Sequence, residues 1–316
     1  ARVLKGDETV ALEVLADILQ HSTFDATELD RERDVILQEI AATRDDPEDI
    51  GYDLLAEAAF PEQPVGRAIL GTVASVKSID RTHLKAFLKR HYTPNRMVLS
   101  AAGPIDHDSL VRHAEALFGG LARREGPAQQ PARYQGGMRA YKRRFEQTHM
   151  LLGFEGPSYY ADDFFAAQVF SGLFGGGMSS RLFQEAREKR GLCYSIYSSA
   201  WALADAGLFS IYAATGPEMM SQLSDVVVEE LESVAGKGPT AAELARAKAQ
   251  LKAGLLMSLE SSSARAEQMA RHIFAHGRLL STEELIASVD AVDAADVRRF
   301  AARLREGPPA VAVIGA

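Results

Sequence analysis

The stretch ASVKSIDRTHLKAFLKRHYTPNRMVLSAAG at residues 74–103 recurs without a gap as ASVDAVDAADVRRFAARLREGPPAVAVIGA at residues 287–316. Each copy has apolar residues at helical spacing, then a turn that contains proline, and then an apolar run of strand length. A second match places ATELDR at residues 26–31 beside AAELAR at residues 241–246. Because internal repeats are the signature of duplicated structure, the sequence predicts two copies of one α/β module.

The order of the predicted helices and strands decides the fold class. In the first copy the pattern predicts a strand at about 96–102 and helices at about 8–21, 25–44, 47–59, 80–91 and 106–118. In the second copy it predicts strands at about 139–145, 149–154, 193–200, 206–214 and 310–315. The helices predicted there lie at about 161–173, 179–190, 217–235, 240–277 with a break, 282–289 and 293–304. Helices and strands do not alternate strictly, so we expect an α+β fold of two duplicated α/β modules rather than a doubly wound parallel sheet.

Residues 119–137, GGLARREGPAQQPARYQGG, form the predicted linker, because their many glycine, proline and glutamine residues are typical of an exposed connector. The linker divides the chain into an N-terminal module at 1–118 and a C-terminal module at 138–316. In the second module a long segment precedes the motif Gly216-Pro217-Glu218, whereas only residues 1–5 precede the similar Gly6-Asp7-Glu8. We therefore expect the first module to be incomplete at its N-terminal side and the chain to be a fragment of a longer protein.

The composition excludes several classes of protein. With 316 residues, of which 47% are hydrophobic and 25% charged, the chain has the composition of a globular protein with a core. A net charge of −8 argues against a phosphate-binding surface, so we expect no nucleic-acid partner. No apolar run approaches the roughly 18 residues needed to cross a bilayer, so we expect no membrane partner. The single cysteine, Cys193, excludes an internal disulfide and a cysteine-rich zinc module, and it favours a cytoplasmic location.

Two carboxylates stand on the apolar stripe of the predicted helix ELDRERDVILQEI, residues 28–40. Glu32 and Glu39 are about two turns apart, so both project from one face where apolar residues belong. Buried carboxylates are stable only when they are paired, hydrogen-bonded or bound to a metal. One interpretation is an ion-pair network with neighbouring or distant arginines. The repeat favours a functional role instead, because the second copy has Ala247 and Gly254 at the corresponding positions.

A second candidate site lies in FSGLFGGGMSSRLFQEAREKRGLCYSIYS, residues 170–198. Gly175, Gly176 and Gly177 precede a predicted helix, and such a backbone can approach a ligand closely with free N–H groups. The segment has neither the lysine of a Walker loop nor a spaced GxGxxG motif, which excludes a phosphate loop. A flexible loop that enters the helix is the alternative interpretation.

Arg187 lies late in that predicted helix, and Tyr194 begins the next strand beyond Gly191. A guanidinium and a phenol near one cleft would suit polarising a substrate carbonyl or stabilising an oxyanion. An arginine and a tyrosine at this spacing are common in proteins, so the spacing alone does not establish such a site.

Four collinear segments together resemble the pitrilysin/insulinase family of zinc metallopeptidases, in the branch of mitochondrial processing peptidase and its bacterial homologues. They are ELDRERDVILQEI (28–40), VGRAILGTVASVKSI (65–79), HYTPNRMVLSAAG (91–103) and GGGMSSRLFQEAREKRGLCYSIYS (175–198). The resemblance covers essentially the whole chain and implies the duplicated LuxS/processing-peptidase-like metallohydrolase architecture. It also implies a Zn²⁺ cofactor, held in the family by two histidines of an inverted HxxEH motif and by a glutamate farther along the chain.

The resemblance assigns roles residue by residue. The match to ERDVILQE places Glu39 at the third zinc-ligand position and Glu32 at an accessory acidic position one heptad earlier. The match to REKRGLCY places Arg187 and Tyr194 at the pair that the second domain contributes to substrate and transition-state binding. The three glycines resemble a loop associated with substrate recognition. The implied mechanism is attack of zinc-activated water on a peptide carbonyl.

The chain also departs from the family pattern. None of its eight histidines is followed by xxEH, so two zinc ligands and the general base are absent and the chain as written should be inactive. Our first hypothesis is a zinc endopeptidase, without its metal-binding segment, that cleaves peptides or unfolded polypeptide segments. We expect a homodimer, with a heterodimer as the alternative. The second hypothesis is a non-catalytic partner or scaffold subunit that contributes substrate binding only.

Overall fold

The computed structural model describes residues 1–315. Within these residues the α-helices are α1 (Glu8–His21), α2 (Ala26–Asp45), α3 (Pro47–Ala59), α4 (Val73–Ser78), α5 (Arg81–His91), α6 (His107–Phe118), α7 (Phe164–Gly175), α8 (Met220–Lys237), α9 (Ala241–Ser258), α10 (Ser262–His276), α11 (Thr282–Ala291) and α12 (Ala294–Arg303). The β-strands are β1 (Gly137–Lys142), β2 (Thr148–Glu155), β3 (Ser195–Ala202), β4 (Gly207–Thr215) and β5 (Ala310–Gly315). Phe183–Glu188 form a π-helical segment. None of these helices is long and apolar enough to cross a bilayer.

The strands form one mixed sheet in the order β1-β5-β2-β4-β3. Strands β1 and β5 are parallel, whereas the pairs β5/β2, β2/β4 and β4/β3 are antiparallel. Strand β5 comes from the closing run of the second repeat and lies between β1 and β2, so it is hydrogen-bonded on both sides. The mixed sheet with its many helices confirms the predicted α+β class.

Alternate residues of the central strands enter two apolar clusters on opposite faces of this sheet, because successive side chains of a strand point to opposite faces. Phe209 and Ile211 of β4 pack with helices α7, α8 and α12 in the larger cluster. Tyr212 and Ala214 of the same strand belong to the smaller cluster, which is covered by α3. The sheet is therefore a central layer with helices on both faces.

Helix α3 follows α2 in the first repeat but packs on strands of the second. Its start is fixed by Asp46, whose side chain caps the first backbone N–H groups, and by Pro47 in the first turn. Gly51 faces the sheet so closely that a β-carbon there would lie 2.5 Å from Cδ1 of Leu151. Leu55 is fully buried one turn later. Small and apolar residues on one face thus seat α3 on the sheet.

The chain forms two compact units. The helical unit contains Ala1–Gln38, Val73–Gln130 and Met257–Leu279, and the sheet unit contains Glu39–Thr72, Pro131–Leu256 and Leu280–Ala316. Within the helical unit α1 packs on α6, and Gln20 Nε2 donates a hydrogen bond of 2.9 Å to the carbonyl oxygen of Leu117. Both units draw on both halves of the sequence. The module boundaries at 1–118, 119–137 and 138–316 stay a prediction.

The strand predicted at residues 96–102 is wrong. Residues 97–102 form neither helix nor strand, although the equivalent run of the second repeat is β5. A strand needs neighbouring backbone with which to pair. Strand β5 has β1 and β2 on its two sides, whereas the helical unit contains no strand among the described residues. The apolar run has strand propensity in both copies, but only the second copy has partners.

Candidate functional site

Both predicted site carboxylates lie on α2, and both are exposed. The expectation that Glu32 and Glu39 stand at buried core positions is therefore wrong. Ile40 is the buried residue of α2, while Leu29 and Ile36 of the same stripe are only half-buried. For Glu32 the physical reason is that the helical unit, to which this residue belongs, has no sheet within residues 1–315 to cover the stripe.

The arginines beside these carboxylates are engaged elsewhere. Arg31 forms an ion pair of 2.6 Å with Glu28, and Arg33 pairs with Asp30. Arg33 also donates a hydrogen bond of 3.0 Å to the carbonyl oxygen of Ile79. Within residues 1–315, Glu32 and Glu39 make no ion pair or hydrogen bond through their side chains. The ion-pair interpretation of these two acids is therefore wrong, and both carboxylates are available to a ligand.

Glu32 lines an open concavity of about 480 Å³ between the end of α1 and the start of α2. Asp17, Asp25, Glu28 and Arg31 also line it, so most of the charged groups of its wall are acidic. His21 lies in the same wall and contacts Asp17 at 3.2 Å between Nδ1 and Oδ1. The accessory acid of the predicted site thus lines an open depression within the helical unit.

Zinc is the metal that the sequence resemblance implies. A catalytic zinc site normally takes three protein ligands from histidine, cysteine, aspartate or glutamate. No group of three such side chains in residues 1–315 is arranged to hold a metal ion. The described residues therefore fit a zinc site only in part, with Glu39 as one carboxylate donor.

The glycines at 175–177 lie in three different environments. Gly175 is buried at the end of α7, where a β-carbon would lie 2.3 Å from the backbone nitrogen of Ser198. The N–H of Gly176 donates to the carbonyl oxygen of Gly172, so it is not free for a ligand. Gly177 is exposed, with open space where a β-carbon would stand. Close packing against β3 thus accounts for Gly175. Gly176 and Gly177 are both exposed, but within residues 1–315 only Gly177 keeps the free N–H that the predicted loop requires.

The chain between Arg187 and Tyr194 turns sharply. Gly191 has φ +62°, a left-handed conformation that glycine adopts without steric cost, and its N–H donates to the carbonyl oxygen of Arg187 at 3.0 Å. Leu192 N–H donates to the carbonyl oxygen of Ala186 at 2.9 Å. These bonds close the π-helical segment and direct the chain into β3. Glycine at position 191 therefore brings the tyrosine back beside the arginine.

Arg187 and Tyr194 are in contact. The Arg187 Cζ lies 4.5 Å from the centroid of the Tyr194 ring and 4.6 Å from that of Phe183. Its side chain is 32% exposed, and the nearest carboxylate, on Glu188, is 3.8 Å from Nε. The Arg187 guanidinium donates no hydrogen bond within residues 1–315. The structure thus brings the predicted pair together, with the arginine donors free and the Tyr194 ring 73% exposed.

Cys193, next to this pair, is not a candidate nucleophile. The thiol is buried, and burial raises the pKa of Cys193 to about 11 despite the opposing charge of Arg187. It is therefore protonated at neutral pH, and a thiol is a poor nucleophile compared with a thiolate.

Comparison with known proteins identifies the family to which this fold belongs. The family description "Peptidase M16 inactive domain" matches residues 78–251, and "Insulinase (Peptidase family M16)" matches residues 1–73. The chain belongs to the M16 peptidase family, which confirms the resemblance to the pitrilysin/insulinase family seen in the sequence.

Two relatives with curated names support the same family, and a solved structure shows the same fold. An uncharacterized zinc protease of Mycobacterium leprae is 38% identical over 100% of this chain and 72% of its own length. One of Streptomyces coelicolor is 36% identical over 100% of this chain and 71% of its own length. A protease from Helicobacter pylori has a TM-score of 0.88 at 21% identity, covering 99% of this chain and 78% of that one. The Helicobacter structure shows that the fold is shared.

Sequence reasoning missed Phe183 as a member of the site. Its ring contacts the guanidinium of Arg187 from the same π-helical segment. The spacing of four residues between an aromatic residue and an arginine was the available signal, because side chains four apart in a helix are neighbours.

Proposed function

We propose that this chain is part of a zinc-dependent endopeptidase of the processing-peptidase type, which cleaves peptides or unfolded polypeptide segments. The observation that carries the proposal is the contact between Arg187 and Tyr194, 4.5 Å from Cζ to ring centroid, with the guanidinium donors unoccupied. Membership of the M16 family and relatives named zinc proteases support the reaction class.

The pair has the chemistry for binding a peptide carbonyl. A guanidinium carries five N–H donors in a fixed planar fork and a phenol carries one O–H donor, so one edge of the guanidinium and the phenol can both donate to the same carbonyl oxygen. Donors aimed at the oxygen where negative charge develops lower the barrier to attack on a carbonyl. In this proposal Arg187 and Tyr194 orient the peptide and stabilise its oxygen, and the exposed Gly177 contributes backbone to substrate binding.

Helix α2 carries the two carboxylates that we assign to the zinc site. Glu39 is the proposed zinc ligand and Glu32 the accessory acid, since both carboxylates are exposed and unpaired within residues 1–315. Two further protein ligands must come from outside these residues, because zinc in a peptidase normally has three.

Replacement of the proposed ligand tests this assignment. In the full chain of the natural protein, Glu39→Gln is expected to abolish zinc retention, measured as bound zinc per protein after dialysis. Glu28→Gln is the matched control, because Glu28 lies on the same helix and pairs with Arg31 instead. Unchanged zinc occupancy in Glu39→Gln would contradict the ligand role.

A second candidate function is a non-catalytic partner subunit that only binds substrate. The observation that favours it is the match of residues 78–251 to a domain described as inactive. In that case Arg187→Ala weakens the binding of an unfolded polypeptide, while Glu39→Gln changes neither zinc content nor binding. The proposed homodimer, or a heterodimer, is tested by measuring the mass of the assembly in solution by light scattering.

A further inference from the structure

The guanidinium of Arg187 lies between two aromatic rings. Its Cζ is 4.6 Å from the Phe183 centroid and 4.5 Å from the Tyr194 centroid. The two rings make no contact with each other within residues 1–315, so each covers a separate part of the guanidinium. Rings at this distance attract a cation through their negative π-faces.

The arrangement leaves the edge of the guanidinium for hydrogen bonding. All five guanidinium donors lie in its plane, in a fixed fork. The contacts with the two rings provide no acceptor for these N–H groups, and the nearest carboxylate oxygen, on Glu188, is 3.8 Å from Nε, beyond hydrogen-bonding distance. With no hydrogen bond from Arg187 to the described residues, the edge is open to an acceptor that lies in the same plane.

The backbone explains why Phe183 occupies this place. Phe183 and Arg187 are four residues apart within the π-helical segment, where Lys189 N–H donates five residues back to the carbonyl of Gln184. Single π-turns are uncommon and occur often at functional sites. Phe183 is half-buried and fixed by the segment, whereas Tyr194 is 73% exposed. Phe183 is thus the more buried of the two rings and Tyr194 the more exposed.

We propose that Phe183 is a positioning residue, which holds the Arg187 guanidinium so that its N–H edge meets a carbonyl oxygen of an extended peptide. The inference rests on the proposed function of Arg187 in substrate binding. Phe183 itself forms no hydrogen bond with the peptide; it fixes the plane of the arginine and reduces the freedom that binding would otherwise have to remove.

Peptide binding without metal tests this role apart from catalysis. The probe is fluorescein-labelled casein, an unfolded polypeptide, titrated against the full chain in EDTA with fluorescence anisotropy as the readout. We expect Phe183→Leu to weaken binding roughly fivefold, from loss of one ring under a half-exposed cation. Phe183→Tyr keeps a ring and should restore affinity. Phe145→Leu is the matched control, because it removes another ring, 5.5 Å from the Cζ of Arg143, outside the site.

A double-mutant cycle separates positioning from general packing. If Phe183 acts through Arg187, Phe183→Leu has no further effect in the Arg187→Ala background, in which no cation is left for the ring to position. The inference would be overturned if Phe183→Leu lowered the affinity for casein equally with and without the Arg187 substitution. It would also be overturned if the Phe183→Leu variant bound casein as tightly as Phe145→Leu. If Arg187→Lys and Tyr194→Phe both bind casein like the wild type, the proposed function of the pair fails as well.

A substrate-free measurement covers the case in which Phe183→Leu folds poorly. In protein labelled with ¹⁵N-arginine, stacking between two rings shifts the Nε–H resonance of Arg187 upfield. We expect Phe183→Tyr to keep that shift and Phe183→Leu to lose it, with Arg187→Lys used for assignment. A resonance at the ordinary position in the wild type would refute the stacked arrangement.

Discussion

Replacement of Tyr197 by phenylalanine should weaken the attachment of α3 to the sheet. The Tyr197 hydroxyl on β3 donates a hydrogen bond of 2.5 Å to Oε1 of Glu48 in the first turn of α3. It also accepts one of 3.1 Å from the hydroxyl of Tyr52, one turn farther along α3. The Tyr197 ring is stacked on Tyr212 at 4.9 Å between centroids, and this contact survives loss of the hydroxyl.

The expected loss follows from the kind of bond removed. A hydrogen bond to a charged group contributes about 1.5–3 kcal/mol, and a neutral one about 1 kcal/mol. Glu48, Tyr52 and Tyr197 are all half-buried, so water replaces part of what is lost. We therefore expect Tyr197→Phe to lower the free energy of unfolding of the sheet unit by about 1–2 kcal/mol. Glu48→Gln, which keeps a neutral acceptor, should cost about 1 kcal/mol or less.

Urea unfolding followed by tryptophan fluorescence measures this loss, because Trp201 is the single tryptophan and lies on β3. The midpoint should fall while the slope stays unchanged, as expected for a change in stability alone. Tyr194→Phe is the control, since the Tyr194 hydroxyl has no hydrogen bond within residues 1–315. A Tyr197→Phe variant as stable as the wild type, or a Tyr194→Phe variant that loses as much, would refute the reasoning.

Tyr197 should also make the stability of the sheet unit fall at alkaline pH. Burial raises the pKa of Tyr197, and its hydrogen bond with Glu48 raises it further. The folded state therefore keeps this proton at pH values where the unfolded state, with a pKa of about 10, has lost it. This contribution to stability is complete below about pH 10 and is lost as pH rises above that value, because deprotonation favours unfolding. The decline should be shallower in Tyr197→Phe.

Two further predictions concern the same unit. Gly175→Ala should destabilise it by about 1–3 kcal/mol, because the new β-carbon would lie 2.3 Å from the Ser198 backbone. Gly236→Ala, in open space on α8, should stabilise the unit by about 0.5–1 kcal/mol. Equal urea midpoints for the Gly175→Ala and Gly236→Ala variants would contradict the packing role of Gly175. Burial lowers the pKa of His149, and this effect outweighs the Asp46 and Glu48 carboxylates, which raise it. Because the unfolded state then binds a proton that the folded state does not, the free energy of unfolding should fall as pH falls below about 6.5. His149→Gln should remove that acid dependence, and midpoints with the same pH profile in both proteins would count against it.

Much of the fold could be predicted because the repeat encodes local structure twice. The predicted helices and the second-copy strands agree with the structure to within a few residues at most ends, since spacing and turn residues act locally. Residues 96–102 show the limit of this reasoning. Their apolar run has the propensity of β5, but whether it becomes a strand depends on partners that no local pattern reveals.

The candidate site also has one part that the local sequence predicts and one part that it does not. Arg187 and Tyr194 could be predicted to meet because a glycine turn, closed by local hydrogen bonds, connects them. The exposure of Glu32 and Glu39 could not be predicted, because it depends on what packs against α2 from elsewhere in the chain. The helical periodicity correctly placed the two acids on one helix, two turns apart, but it gave no information on what covers them.

The position of α3 links these observations to the proposed function. Nearness in sequence suggests that α3 belongs with the first copy, as connected elements usually pack together. Gly51 and Leu55 instead seat it on strands of the second copy, and Glu48 joins it to Tyr197 of β3. Only Asp46 separates α3 from the end of α2, so the segment that follows Glu39 is anchored to the same strand that begins beside Tyr194. A substitution that loosens α3 should therefore disturb both halves of the proposed site, although neither Glu48 nor Tyr197 bears a proposed catalytic group.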